Sequence, residues 1–213
     1  MKEIKIYVEG GGDSHATRSE LRKGFGEFTR SLRTLAQSKR LRYGIVACGS
    51  RNDAFDMFQT ALRQNDPDIL NFLLVDAEAS VKQNISPWKH LSERAGDRWE
   101  QPAGVSDDQC HLMVQSMETW IAADLNALRK FYGKGFREKL IPATNDVETI
   151  DKVRLFSALK DATAHSEKKG QYHKTKHGFA LIGLVDPMLV RSKAAHCERF
   201  FQMIEMWIDS GGG

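Results

Sequence analysis

Four short apolar runs constrain this chain more than any other feature: Ile4–Val8, Tyr43–Ala47, Asn71–Val75 and His111–Val114. Each reads as a strand. Between the first two lies Ala16–Leu41, with Leu21, Phe25, Phe28, Leu32 and Leu35 at helical spacing. Gly24 and Gly26 weaken its early turns without ending it. Between the second and third lies Asp53–Gln64, where Phe55, Phe58 and Leu62 repeat at three and four. Strand, helix, strand, helix, strand predicts a parallel sheet with right-handed crossovers. The interval from Glu78 to Gln109 holds Pro87, Trp88, Trp99 and Pro102, and reads as a loop-rich excursion with one short helix. A helix over Met117–Phe131 follows the fourth run. The remainder, Glu138–Ile208, reads as mostly helical, with a short extended piece at Phe179–Val185. The expected architecture is one compact unit: an α/β core over residues 1–135 and a mostly helical extension over 136–213 packed on it.

Composition narrows the class. With 213 residues, 41% hydrophobic and 28% charged, the chain has the make-up of an ordinary globular protein. No apolar run reaches the roughly 18 residues of a membrane span, and the glycines at 10–12 arrive too early for a signal-peptide core. Three widely spaced cysteines, Cys48, Cys110 and Cys197, form no CxxC pair and read as free thiols in a cytoplasmic protein. Gly211–Gly213 reads as a frayed tail. The net charge of +3 is too small to imply a polyanionic partner, so the distribution of charge matters more than its sum.

The stretch "KIYVEGGGDSH" carries the first chemical signal. A buried strand ends in Glu9, and three glycines then form a turn that lets backbone approach something closely. The third strand ends "NFLLVDAEAS". If strand geometry persists through Ala77, the carboxylates of Asp76 and Glu78 point to one side. Glu9 and Asp76 then both stand at the carboxyl ends of parallel strands, the edge where open α/β sheets place ligands. Three acids, four with Asp13, converge there, and crowded carboxylates call for a hard divalent cation such as Mg²⁺, with Mn²⁺ able to substitute. Such ions serve phosphoryl chemistry. The structural alternatives are plain: Asp13 could cap the next helix, and Asp76 and Glu78 could be loop acids. A dinucleotide fingerprint needs glycine where the chain has His15, and no Gly-Lys-Ser or Gly-Lys-Thr of a P-loop occurs.

"YVEGGGD" followed by "LLVDAE" resembles the toprim pattern shared by topoisomerases, primases and nucleases of the overcoming-lysogenization-defect type. That resemblance implies a toprim-like, Rossmann-like parallel sheet flanked by helices, with Glu9, Asp76 and Glu78 as the Mg²⁺ site and catalytic acids. The departure is Glu78, where the pattern has aspartate. "HLMVQSMETWIAADLNAL", "HKTKHGFALIGLVDP" and "CERFFQMI" further resemble domain of unknown function family 4276, a bacterial toprim-like group, over most of the chain. The resemblance implies a setting in phage defence beside an ATPase partner. The chain is too short for the added domains of a topoisomerase or a primase.

Other residues complete the expectation. Glu118, just after the fourth strand, reaches towards the acids as a second-tier site residue. Asp124 falls on the apolar face of Met117, Trp120, Ile121, Leu125, Leu128 and Phe131, and a buried acid needs an ion pair, a capping bond or a metal. Basic residues gather in Arg18–Arg42 and in "KKGQYHKTKH". The second segment has no apolar stripe and reads as an exposed loop, with Lys174, Lys176 and His177 as phosphate contacts, since an acidic site needs nearby cations to hold a phosphate backbone. The histidines and Cys197 match no zinc spacing. The leading expectation is a Mg²⁺-dependent nuclease acting on DNA or RNA. Its rivals are a non-catalytic toprim-shell subunit of an ATPase, and a receiver-like phosphoacceptor domain with Asp76 as acceptor and a lysine on a fifth strand.

Overall fold

The computed structural model describes residues 1–12 and 14–210; Asp13 and residues 211–213, the expected tail, lie outside it. Its centre is a four-stranded, all-parallel sheet of β1 (Glu3–Val8), β2 (Arg42–Ala47), β3 (Ile69–Asp76) and β4 (Cys110–Met113), in the order β2-β1-β3-β4. Val8 pairs with Ala47 on one side and with Leu74 on the other, and Asp76 with Met113, so the strands finish along one edge.

Alternation along the strands builds two cores. Ile4, Ile6, Val8, Phe72 and Leu74 face α1 (His15–Phe28), α2 (Arg30–Ser38) and the C-terminal helices, including α10 (Ala195–Asp209). Tyr7, Leu73, Val75 and Leu112 face α3 (Arg51–Arg63) and α4 (Pro87–Glu93), through Phe55, Phe58 and Trp88. β3 is buried on both faces, as a central parallel strand must be. The result is an α/β fold in a Rossmann-like arrangement with a helical C-terminal part. No helix among the described residues is long and apolar enough to cross a membrane. All three cysteines are free and buried.

Three expectations need correction. The first long helix breaks at Thr29, whose buried hydroxyl donates to the Phe25 carbonyl at 2.7 Å. The Met117–Phe131 helix breaks into α5 (Met117–Ala122) and α6 (Leu125–Tyr132) at Asp124, which caps α6. In both cases apolar spacing continues across the break, because both pieces face the same core. The Phe179–Val185 piece is not extended: α8 (Phe179–Ile182) is helical and lies across α1 at Gly24. A Cβ at Gly24 would stand 2.0 Å from the Phe179 carbonyl oxygen, so only glycine admits the crossing. α7 (Lys152–Thr163) and α9 (Pro187–Lys193) complete the helical part.

Candidate metal centre

β1 and β3 deliver two acids to the same edge. Glu9 directly follows β1, and its Oε2 accepts the Asp76 N–H at 3.1 Å. Asp76 ends β3 and is 2% exposed. Its Oδ1 accepts the Met117 N–H at the start of α5 at 2.8 Å, and its Oδ2 lies 3.3 Å from Lys174 Nζ. Glu78 arrives differently from the expected strand alternation. β3 stops at Asp76, and Glu78 sits in a left-handed conformation, φ +67°, with its N–H bonded to the Gln115 carbonyl at 2.7 Å. A non-glycine residue held there costs about 1–3 kcal/mol, and the turn carries its carboxylate back to the others. One oxygen from each of Glu9, Asp76 and Glu78 lies within 4.8 Å of the other two, in the only such cluster of potential ligands among the described residues.

The electrostatics of Asp76 and Glu78 differ. Burial, and then the charge of Glu9, push Asp76 up to about 7, and Lys174 offsets only part of this. Glu78 goes the other way. Burial raises it, but the hydrogen bond and charge of Lys152, 2.5 Å away, outweigh that and hold it below the usual carboxylate range. Of these two carboxylates, Asp76 is the one held above its ordinary range.

Apart from Lys174, composition and spacing missed the cations that frame these acids. Arg51, the first residue of α3, donates to Glu9 Oε2 at 2.9 Å and to the Asp76 carbonyl, and makes two 2.7 Å bonds to Asp97. Its guanidinium lies 4.9 Å from the Trp99 ring centre, and Trp99 stacks on Phe55 at 4.4 Å. Arg94 holds Asp97 at 2.7 Å and approaches Glu78 at 3.9 Å. The loop-rich excursion thus supplies Arg94, Asp97 and Trp99 to fix one arginine. A positional signal was available: Arg51 begins α3 four residues after β2 ends, near the edge where Glu9 follows β1.

The remaining expected residues divide. Asp13 lies outside the described residues, and the cap of α1 is Ser14, which accepts the Thr17 N–H at 3.1 Å. Glu118 is buried and accepts the Tyr172 hydroxyl at 2.8 Å; it stands outside the three-acid cluster but raises Asp76 through its charge. Asp124 joins no metal cluster, since its oxygens accept the N–H groups of Ala127 and Asp186 at 3.0 Å each. The basic segment is a loop only in its first part: residues 168–173 carry no helix or strand and are largely exposed, whereas Lys174–Gly178 forms a π-helical turn running into α8. Lys174 points at the acids and Lys176 is exposed. His177 is buried among Phe131, Tyr132 and Tyr172, and burial lowers its pKa, so it is a neutral packing residue that bonds the Tyr132 hydroxyl at 3.0 Å. The glycines after Glu9 approach the protein itself. Gly10 and Gly49 exchange two backbone bonds of 2.8 and 2.9 Å, and a Cβ on Gly10, φ +121°, would stand 2.6 Å from Leu21. No fifth strand occurs among the described residues, so the lysine facing Asp76 comes from the π-helical turn instead.

The model of one family, described as a domain of unknown function (DUF4276), matches residues 8–205. No curated protein and no solved structure matches the chain.

Proposed function

The chain belongs to the DUF4276 family, and with that as premise we propose that it is a Mg²⁺-dependent phosphodiesterase acting on nucleic acid. One observation carries the reading: Glu9, Asp76 and Glu78 converge within 4.8 Å while burial and the charge of Glu9 hold Asp76 above its ordinary range. A network built only to pair charges would hold a buried carboxylate below the ordinary range, as it holds Asp97. The donor set is all carboxylate, with no imidazole or thiolate, which suits a hard cation such as Mg²⁺ or Mn²⁺.

Glu9, Asp76 and Glu78 would hold the ion. When bound, Mg²⁺ supplies polarisation of a phosphoryl oxygen and a lowered pKa for water. The chain's own residues do the rest. Arg51 fixes the Glu9 carboxylate, and Tyr172 fixes Glu118. Lys174 and Lys152, which face the acids in this structure, are the cations placed to take phosphate oxygens. The resemblance of "YVEGGGD" and "LLVDAE" to the toprim pattern supports the same assignment; the phage-defence setting and ATPase partner rest on resemblance alone.

A second reading has one observation in its favour. Arg51, Arg94, Lys152 and Lys174 already surround the acids, as they would in a non-catalytic shell that binds an ATPase. Cleavage of labelled DNA and RNA by the purified chain in Mn²⁺, Mg²⁺ or EDTA separates the two. The nuclease reading expects cleavage that needs metal and is lost in Asp76→Asn. Absence of cleavage, or cleavage unaffected by Asp76→Asn, favours the shell.

A further inference from the structure

A cavity of about 300 Å³ opens beside the acid cluster, against the first turns of α7. Lys152 and Lys174 line it, together with the buried Glu118 and Ser116. Phe156 and Val153 give it an apolar wall. Several details mark it as more than a packing gap. Val153 is 77% exposed, an apolar side chain left at the mouth. Ser116 is 1% exposed and is the N-cap of α5, yet its hydroxyl makes no capping bond. Phe156 is held in place on two sides: Tyr172 meets it edge-on at 5.7 Å, and Lys160 lies 4.7 Å from its ring centre. With both contacts made, Phe156 is still only half-buried and lines the cavity.

The mixture of groups selects the ligand. A bare anion would need the lysines but not the aromatic wall, and an apolar ligand would need the wall but not the lysines. A nucleotide uses both, with its base against the ring and its phosphate on the ammonium groups. The volume lies at the small end of ligand pockets and admits one base. A base inside a duplex cannot reach such a wall without leaving its stack. We infer that this cavity seats one unpaired nucleobase of a single-stranded segment, stacked on Phe156, with its flanking phosphate on Lys152 and Lys174. The inference rests on the nucleic-acid reading above and adds to it the strandedness of the substrate.

The test uses the full chain in Ca²⁺ buffer and a fluorescein-labelled oligothymidylate. Its comparisons are the same strand in a duplex and the same strand with one abasic nucleotide. The parent should prefer the single strand and should lose affinity when the abasic position falls in the cavity. Phe156→Leu keeps apolar volume and the fold but removes the aromatic face. It should weaken binding roughly tenfold or more and abolish sensitivity to the abasic position, and Phe156→Ala should do the same. Unchanged affinity in Phe156→Leu, equal binding of duplex by the parent, or no binding at all overturns the inference. Cleavage in Mn²⁺, measured separately, keeps the two claims apart. Phe156-dependent binding without cleavage leaves the cavity and removes the catalysis; cleavage with Phe156-independent affinity does the reverse.

Discussion

Asp76→Asn should make the metal-free protein more stable at pH 8 and no more stable at acid pH. Burial and Glu9 raise the folded carboxyl from its ordinary 3.8 to about 7. The sign follows from proton linkage. Between those values the native state binds a proton that the unfolded state has released. The stability supplied by that proton is fully present below 3.8 and is lost as pH rises through about 7. A gap of about three units at 1.36 kcal/mol each sets a ceiling of about 4 kcal/mol on the cost of the ionised carboxylate. The group is 2% exposed, so solvent screening removes little of it. Asparagine keeps an oxygen for the Met117 N–H and carries no charge against Glu9, and Lys174, partly exposed, can turn to water. A gain of about 2–4 kcal/mol at pH 8 corresponds to a Tm rise of roughly 4–16 °C for a chain of this size. Thermal melts of parent and variant in EDTA at pH 4 and pH 8 measure it. A variant that melts below the parent at pH 8, or a gain that does not shrink with acid, would show that Asp76 is a satisfied structural acid.

Three further outcomes follow from the same geometry. Mn²⁺ at a hundred times its Kd should stabilise the parent by about 2.7 kcal/mol at pH 8, with the shift lost in Glu9→Gln; melts with and without the ion decide it. Arg51→Ala leaves the 1%-exposed Asp97 side chain with Arg94 alone and removes a donor from Glu9. It should cost about 3–5 kcal/mol in urea unfolding, and Arg51→Lys should recover less than half, since one ammonium cannot reproduce a planar fork. Gly24→Ala forces a Cβ against the Phe179 carbonyl and should cost at least about 1–3 kcal/mol, whereas Gly26→Ala meets nothing within 4 Å and should be neutral or stabilising by up to about 1 kcal/mol.

What could be read from the residues, and what could not, separates along physical lines. Strands declare themselves locally, because β-branched and apolar runs have few other uses; the four observed strands lie within about two residues of the expected ones. Glu9 and Asp76 were legible for the same reason, since each follows directly from where a buried run stops. Glu78 joined them by a left-handed turn that no local signal announces. Arg51 and Lys152 were hidden because arginine and lysine are usually solvated, and nothing in "CGSRND" or "IDKVRL" sets them apart. Their roles exist only once strands separated by dozens of residues lie side by side. The π-helical turn was missed because three histidine- and lysine-rich residues in four look soluble, while His177 in fact buries its ring among three aromatics.

The pairing of Lys174 with Asp76 spans 98 positions of the chain, and that of Tyr172 with Glu118 spans 54. The three clustered acids therefore come from the first half of the polypeptide, and two of the lysines that temper them from the second. A fragment ending after β4 would keep Glu9, Asp76 and Glu78 but lose Lys152, Lys174 and the Phe156 wall. It would keep the pairs that Arg51 and Arg94 make with Glu9 and Glu78 but lose the two lysines that face Asp76 and Glu78, and should be less able to fold. Molecular dissection of this protein should thus yield no minimal working piece: the site is a property of the joined halves, as a lock belongs to neither the door nor the frame.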